Sequence, residues 1–159
     1  RRMKSSENSV KIMWKMYLEK IGENPDNTGL KYTSWHFCDN REDADELVQL
    51  AKIGTKRATA SLFMLYEFEG ERVPEAGDIS ILTDWNGNAQ CIIKNERVSI
   101  LPFKDITEDH AAIEGEGDKS LEYWRKAHRG IFEMDAESAG EVFNEDMLVV
   151  FEEFEVVFK

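Results

Sequence analysis

Cysteine is scarce in this 159-residue chain: Cys38 and Cys91 stand far apart, and there is no C-x-x-C. That excludes a disulfide scaffold and a cysteine-based zinc ribbon, and it fits a reducing compartment, so a cytoplasmic location is expected. Proline is rare too, with three residues, and no linker, repeat or low-complexity tract divides the sequence. One domain over residues 1–159 is the expectation, with residues 1–30 as a helical extension. No apolar run approaches the ~18 residues of a membrane span, and the residues after Arg1 and Arg2 are too polar for a signal-peptide core, so no membrane partner is expected. The first residue is not Met, which suggests a few residues upstream. Positive charge is also short: 20 Lys and Arg against 32 Asp and Glu leave a net charge of −12. A protein that coats duplex DNA through many phosphates carries the opposite sign. A short or single-nucleotide site remains open, because potential is local within a Debye length of ~8–10 Å.

What is present is a foldable mixture, 42% hydrophobic and 33% charged. Val10, Met13, Trp14, Tyr17, Leu18 and Ile21 form one stripe of an amphipathic helix that Gly22 and Pro25 end. Residues 32–38 read as extended. Ala44, Leu47, Val48 and Ala51 repeat the helical stripe, with Asn40 or Asp43 as cap and Gly54 as stop. A short mixed segment at 56–61 precedes one or two helical turns before Gly70. Residues 79–83 and 89–94 flank Asn86-Gly87, a strong hairpin signal, and 97–101 reads as a third strand ended by Pro102. Thr107 opens a short helix that Gly115 closes. Leu121, Trp124, His128 and Ile131 mark a longer helix, and residues 147–158 a long C-terminal strand. Strands with interspersed helices and no β-α-β rhythm indicate α+β, a small mixed β-barrel with helices packed outside.

Two polar motifs stand out. In Gly54-Thr55-Lys56-Arg57-Ala58-Thr59, a helix stop passing into a strand brings Lys56 near the Thr59 hydroxyl, where they can hold a phosphate or an acyl oxygen; the competing reading is a cap followed by solvated Lys and Arg. The spacing is not that of a P-loop. In Glu114-Gly115-Glu116-Gly117-Asp118-Lys119-Ser120, three carboxylates alternate with glycines. An EF-hand needs Gly sixth and Glu twelfth, where Lys119 and Arg125 stand, so calcium is not expected. Two readings stay open: a Gly-rich loop capping the next helix through Asp118 or Ser120, or a loop delivering a general base into a cleft. Trp124, Arg125, Lys126, His128 and Arg129 add a basic helical face, either chance surface or a nucleotide contact. His36, Cys38, Cys91, His110 and His128 match no zinc motif, and no serine elbow or dinucleotide fingerprint occurs, so neither metal nor cofactor is expected.

The segments at residues 35–40 (Trp-His-Phe-Cys-Asp-Asn), 54–61 (Gly-Thr-Lys-Arg-Ala-Thr-Ala-Ser), Gly77-Asp78 and 114–125 (Glu-Gly-Glu-Gly-Asp-Lys-Ser-Leu-Glu-Tyr-Trp-Arg) together resemble the bacterial ASCH domain proteins, relatives of the PUA-like barrels. The resemblance runs from about Val10 to Phe158. It implies a small PUA-like barrel with a cleft, and RNA, nucleoside or nucleotide ligands. One branch of similar proteins removes the acetyl group of N(4)-acetylcytidine; carried over by motif, its Lys and Thr are Lys56 and Thr59, and its acid, four residues after a His, is Glu114 after His110. Another branch, nearer in the Glu-Gly-Glu-Gly-Asp string, is reported to cleave RNA, with Lys56 and Ser120 as the matching residues. A third possibility is a binding module without catalysis.

Both chemistries need a nucleophile, a base and a stabiliser of developing negative charge. Thr59 carries a hydroxyl, Glu114 can shuttle protons and Lys56 can stabilise an oxyanion. The expected catalytic set is therefore Lys56, Thr59, Glu114 and Ser120, with Arg57, Tyr66, Glu116, Asp118, Trp124 and Arg125 as ligand contacts. Lys56, Thr59 and Glu114 are expected to converge on one concave site rimmed by residues 115–120. Lys56, at a helix-to-strand junction, is expected to bury little area, so Lys56→Ala should leave folding nearly unaffected.

Overall fold

A computed structural model describes residues 5–159; residues 1–4, the start of the expected extension, lie outside the described part. The elements run α1 (Ser5–Lys20), β1 (Thr33–Trp35), α2 (Arg41–Lys52), β2 (Ala58–Leu62), α3 (Phe63–Glu69), β3 (Ile79–Thr83), β4 (Ala89–Pro102), a 3₁₀ turn (Phe103–Asp105), α4 (Glu108–Glu114), α5 (Leu121–Ser138) and β5 (Leu148–Phe158). The hydrogen-bonded strand order is β1-β3-β4-β5-β2. β1 is parallel to β3, whereas the β3–β4 and β2–β5 pairs are antiparallel. The class is α+β with a mixed sheet.

The chain forms two compact units. One comprises residues up to Gly54 with Asp78–Lys94 and Glu155–Lys159; the other comprises Thr55–Gly77 and Asn95–Phe154. In the first unit, Tyr17 of α1 packs with Ile79, Ile81 and Ile92, flanked by Val10, Met13, Trp14 and Tyr32. Asn40 caps α2, its side chain accepting from the Asp43 N–H. Asn86-Gly87 lies in the connection between β3 and β4, with Gly87 at φ +86°.

The second unit has an apolar interior of Ala58 and Leu62 from β2, Phe103, Ala111 from α4, Trp124, Phe132 and Ala136 from α5, and Val149 and Phe151 from β5. α4 opens with a reciprocal cap in which Thr107 accepts from the His110 N–H and the His110 ring accepts from the Thr107 N–H. Two expectations shift. Residues 89–102 form one 14-residue strand, not two, since nothing between Lys94 and Arg97 breaks the extended chain. The inward stripe of α5 is Trp124, His128, Phe132 and Ala136, while Ile131 is 45% exposed.

Candidate functional site

The two polar motifs meet inside the second unit. Lys56 follows Gly54, whose φ of +89° turns the chain out of α2, and precedes β2. Its side chain is fully buried. The ammonium donates to the Ala58 carbonyl at 2.7 Å and lies 3.0 Å from Glu116 Oε1 and 3.5 Å from Glu114 Oε2. Glu114 ends α4, and Gly115, at φ +74°, lets the chain turn directly against the neighbouring backbone: a Cβ there would sit 2.1 Å from the Thr55 carbonyl oxygen. The Arg57 N–H donates to the Ile113 carbonyl at 2.9 Å, tying the two motifs main chain to main chain.

Glu114 is held on its other side by α5. The Trp124 indole N–H donates to Oε1 at 2.8 Å, and His128 Nε2 donates to Oε2 at 2.8 Å. His128 Nδ1 lies 2.9 Å from the Trp124 carbonyl oxygen. A carbonyl and a carboxylate can only accept, so both ring nitrogens donate and the imidazole is protonated. Its ring stacks on Trp124, centroids 4.0 Å apart and planes 12° from parallel, which further favours the cation. Burial pushes His128 toward the neutral form, but the charge and hydrogen bond of Glu114 outweigh it and raise its pKa. Burial likewise pushes the Glu114 carboxyl up; the charges of Lys56 and His128 and the bonds from His128 and Trp124 prevail and hold it at about 2. Such a carboxylate is a weak proton acceptor, and it lies against two cations, Lys56 and His128.

Glu114, Glu116 and His128 bring their ligating atoms within 4.8 Å of one another. The set does not suit a metal ion. The Lys56 ammonium already lies between the two carboxylates, and both His128 nitrogens carry protons, leaving no lone pair to donate.

The other nominated residues lie differently. Thr59 and Ser61 alternate with the core residues Ala58 and Leu62 on β2, and Thr59 makes no hydrogen bond to the cluster among the described residues. Ser61 Oγ is 2.7 Å from the Tyr66 hydroxyl, whose pKa burial raises. Ser120 caps α5, accepting from the Tyr123 N–H at 3.0 Å, and Asp118 accepts from the Ser120 N–H at 2.9 Å. Trp124 is 2% exposed, its ring set among Phe103, His128 and Phe132. Arg57 and Arg125 are exposed. Arg129 lies over Phe103 and Phe143 and pairs with Glu145 at 2.9 Å. An open groove of about 430 Å³ lies elsewhere, lined by Phe63, Met64, Glu67, Phe68, Ala139, Glu141, Met147 and Leu148, and includes none of the nominated residues. Sequence reasoning missed His128 as the partner of Glu114. The available signal was its place four residues after Trp124 on the inward stripe of a helix.

The family model of the ASCH domain matches residues 33–158. The chain belongs to the ASCH domain family. It is 34% identical to an ASCH domain from Lactobacillus crispatus JV V101, whose crystal structure matches at a TM-score of 0.90 over 99% of both chains. A protein from Enterococcus faecalis V583 is 32% identical with a TM-score of 0.85, covering 95% of this chain and 89% of its own. A hypothetical protein, PH0355, is 21% identical with a TM-score of 0.51 over 79% of this chain and 96% of that one, a likeness of fold alone. No curated protein matches the chain. Among the described residues, no helix of this ASCH domain protein is long and apolar enough to cross a membrane.

Proposed function

We propose that this ASCH domain protein binds RNA or a nucleotide at the Lys56 end of its second unit and processes it hydrolytically, as a ribonuclease does. The observation that carries the reading is the Lys56 ammonium, fully buried between Glu114 and Glu116. Burying four ionisable groups together is a poor way to gain stability, because apolar replacements of like volume are often neutral or better. Charge clusters of this kind with shifted pKa values concentrate at functional sites, and a cation seated in a chain of net charge −12 is the complement of a phosphate oxygen. In this reading Lys56 stabilises negative charge, Glu114 orients the ammonium, and Thr59 or Ser120 supplies the hydroxyl. Arg57, Tyr66 and Arg125 contact the ligand, while Asp118, accepting from the Ser120 N–H, holds the loop that carries Glu116. The protein works as a cytoplasmic single-domain binder of short RNA, without metal or cofactor.

Removal of the acetyl group of N(4)-acetylcytidine is the second reading, since its tetrahedral oxyanion carries one negative charge that the same ammonium can stabilise. Incubation with short single-stranded RNAs and with N(4)-acetylcytidine, for the wild type, Thr59→Val and Ser120→Ala, separates the readings. Shortened RNA that requires Thr59 or Ser120 supports the first, and acetate release supports the second. RNA binding with no turnover of either substrate reduces the protein to a binding module, and neither binding nor turnover overturns the proposal.

A further inference from the structure

The four charged groups of the buried cluster are not equally fixed. Glu114 is tied to Trp124, His128 and Lys56, with its side chain 2% exposed. The Glu116 side chain is 16% exposed, and its close ion pair is with Lys56 at 3.0 Å. It stands on a segment where Gly115, Gly117 and Lys119 all have left-handed φ values, between +56° and +74°. Gly115 is pressed on the Thr55 carbonyl, whereas Gly117 lies against the ring of Tyr123, a side chain that is 42% exposed. Glu116 can therefore leave Lys56 toward solvent without dismantling the packed interior behind it.

Charge balance says what would take its place. Lys56 and protonated His128 match Glu114 and Glu116, two positive against two negative. Withdrawal of Glu116 takes one negative charge away from the Lys56 ammonium, a deficit that in a buried setting one anionic oxygen group restores. We infer that the Glu116 carboxylate occupies, on Lys56, the seat of a ligand's anionic oxygen, and that the ligand group displacing it carries a single negative charge: an internal phosphodiester of RNA. This choice of ligand rests on the RNA reading above. A terminal phosphate, which carries about −1.5 to −2 at neutral pH, overfills the same seat.

The test compares the wild type with Glu116→Gln, which keeps the size and an accepting oxygen while removing the charge. Three probes are used: uridylyl-uridine, with one diester and no terminal phosphate; uridine 5′-monophosphate; and nitrate, a monoanion with no nucleoside. Binding is read by calorimetry and by the NMR resonance of the Trp124 indole N–H, which reports on Glu114. The expected result is that Glu116→Gln binds uridylyl-uridine at least about tenfold more tightly than the wild type, with a smaller gain for the monophosphate, and that nitrate shifts the Trp124 signal only in the variant. Equal or weaker binding of uridylyl-uridine by the variant, where the wild type binds it, overturns the inference. A nitrate shift in neither protein overturns it whatever the RNA result. A nitrate shift in the variant alone, with no uridylyl-uridine binding by either protein, supports the anion seat and overturns RNA as its ligand. If thermal unfolding shows Glu116→Gln unfolded, Glu116→Asp, which retracts the carboxylate by one methylene, is read the same way with a smaller expected gain.

Discussion

The two compact units are built on different interior chemistry. In the first, Thr83 is the one buried polar side chain among the described residues, and its hydroxyl donates to the adjacent Asp84 carbonyl at 2.9 Å. In the second, Lys56, Asn95, Glu114 and His128 are all buried. The first unit gains from apolar burial and aromatic contacts such as Trp14 with Tyr32, which cost little to assemble. The second unit keeps charges out of water, and these are tolerable only while every partner is present. A unit of the first kind suits a scaffold. The second has the layout of a site, where a small change in charge has large consequences.

The contrast is sharpest under substitution of Lys56. Lys56→Met leaves Glu114 and Glu116 without their shared cation in a buried setting, so it should cost about 3–5 kcal/mol in denaturant unfolding. Thr83→Val in the first unit should cost no more than about 1 kcal/mol. The expectation that Lys56 could be truncated without harm to folding does not survive its complete burial. Equal stability of the two variants would show that the cluster is not held by charge compensation.

Backbone crowding supplies the next comparison. Gly115 and Gly87 both have left-handed φ, a conformation that costs other residues about 1–2 kcal/mol. A Cβ on Gly87 meets nothing nearer than Ser6 at 3.4 Å, so Gly87→Ala should show that cost alone. A Cβ on Gly115 overlaps the Thr55 carbonyl, and because that backbone carries Lys56, Gly115→Ala should cost about 3 kcal/mol or more. Similar losses would mean that the segment from Thr55 to Lys56 yields easily.

Acidity gives the gentlest probe. The Glu114 carboxyl is held below its ordinary 4.5, at about 2, so its stabilisation is present above about pH 4.5 and is lost as the pH falls toward 2. The His128 pKa is raised above 6.5, so its contribution is complete below pH 6.5 and is lost as the pH rises through the folded value. Thermal unfolding of the wild type and His128→Gln between pH 5 and 9 should show a gap that narrows on the alkaline side. A constant gap would place a neutral imidazole in the fold.

Much of the architecture follows from local rules. Asn40, Thr107 and Ser120 cap their helices because a short polar side chain can accept an otherwise unpaired N–H of the first turn. Asn86-Gly87 marks a turn because Gly tolerates left-handed φ. The glycines of Glu114-Gly115-Glu116-Gly117 serve the same end, since Gly115 and Gly117 both take left-handed φ. The continuous strand β4 was not legible, since Asn95 and Glu96 have low strand propensity, and pairing with neighbouring strands overrides it.

The sequence by itself determined the α+β class, the helix ends, the hairpin and the two polar motifs, all of which depend on near neighbours in the chain. Only the tertiary structure decided that Lys56 is wholly buried, that His128 completes the setting of Glu114, and that Glu116 is the least buried member of the cluster. The physical reason is that burial and charge compensation are properties of groups far apart in sequence. Lys56 and Glu114 read from the sequence as members of one site, but their burial is set only when α4, α5 and β2 pack together, remove the water, and leave each charge dependent on the others.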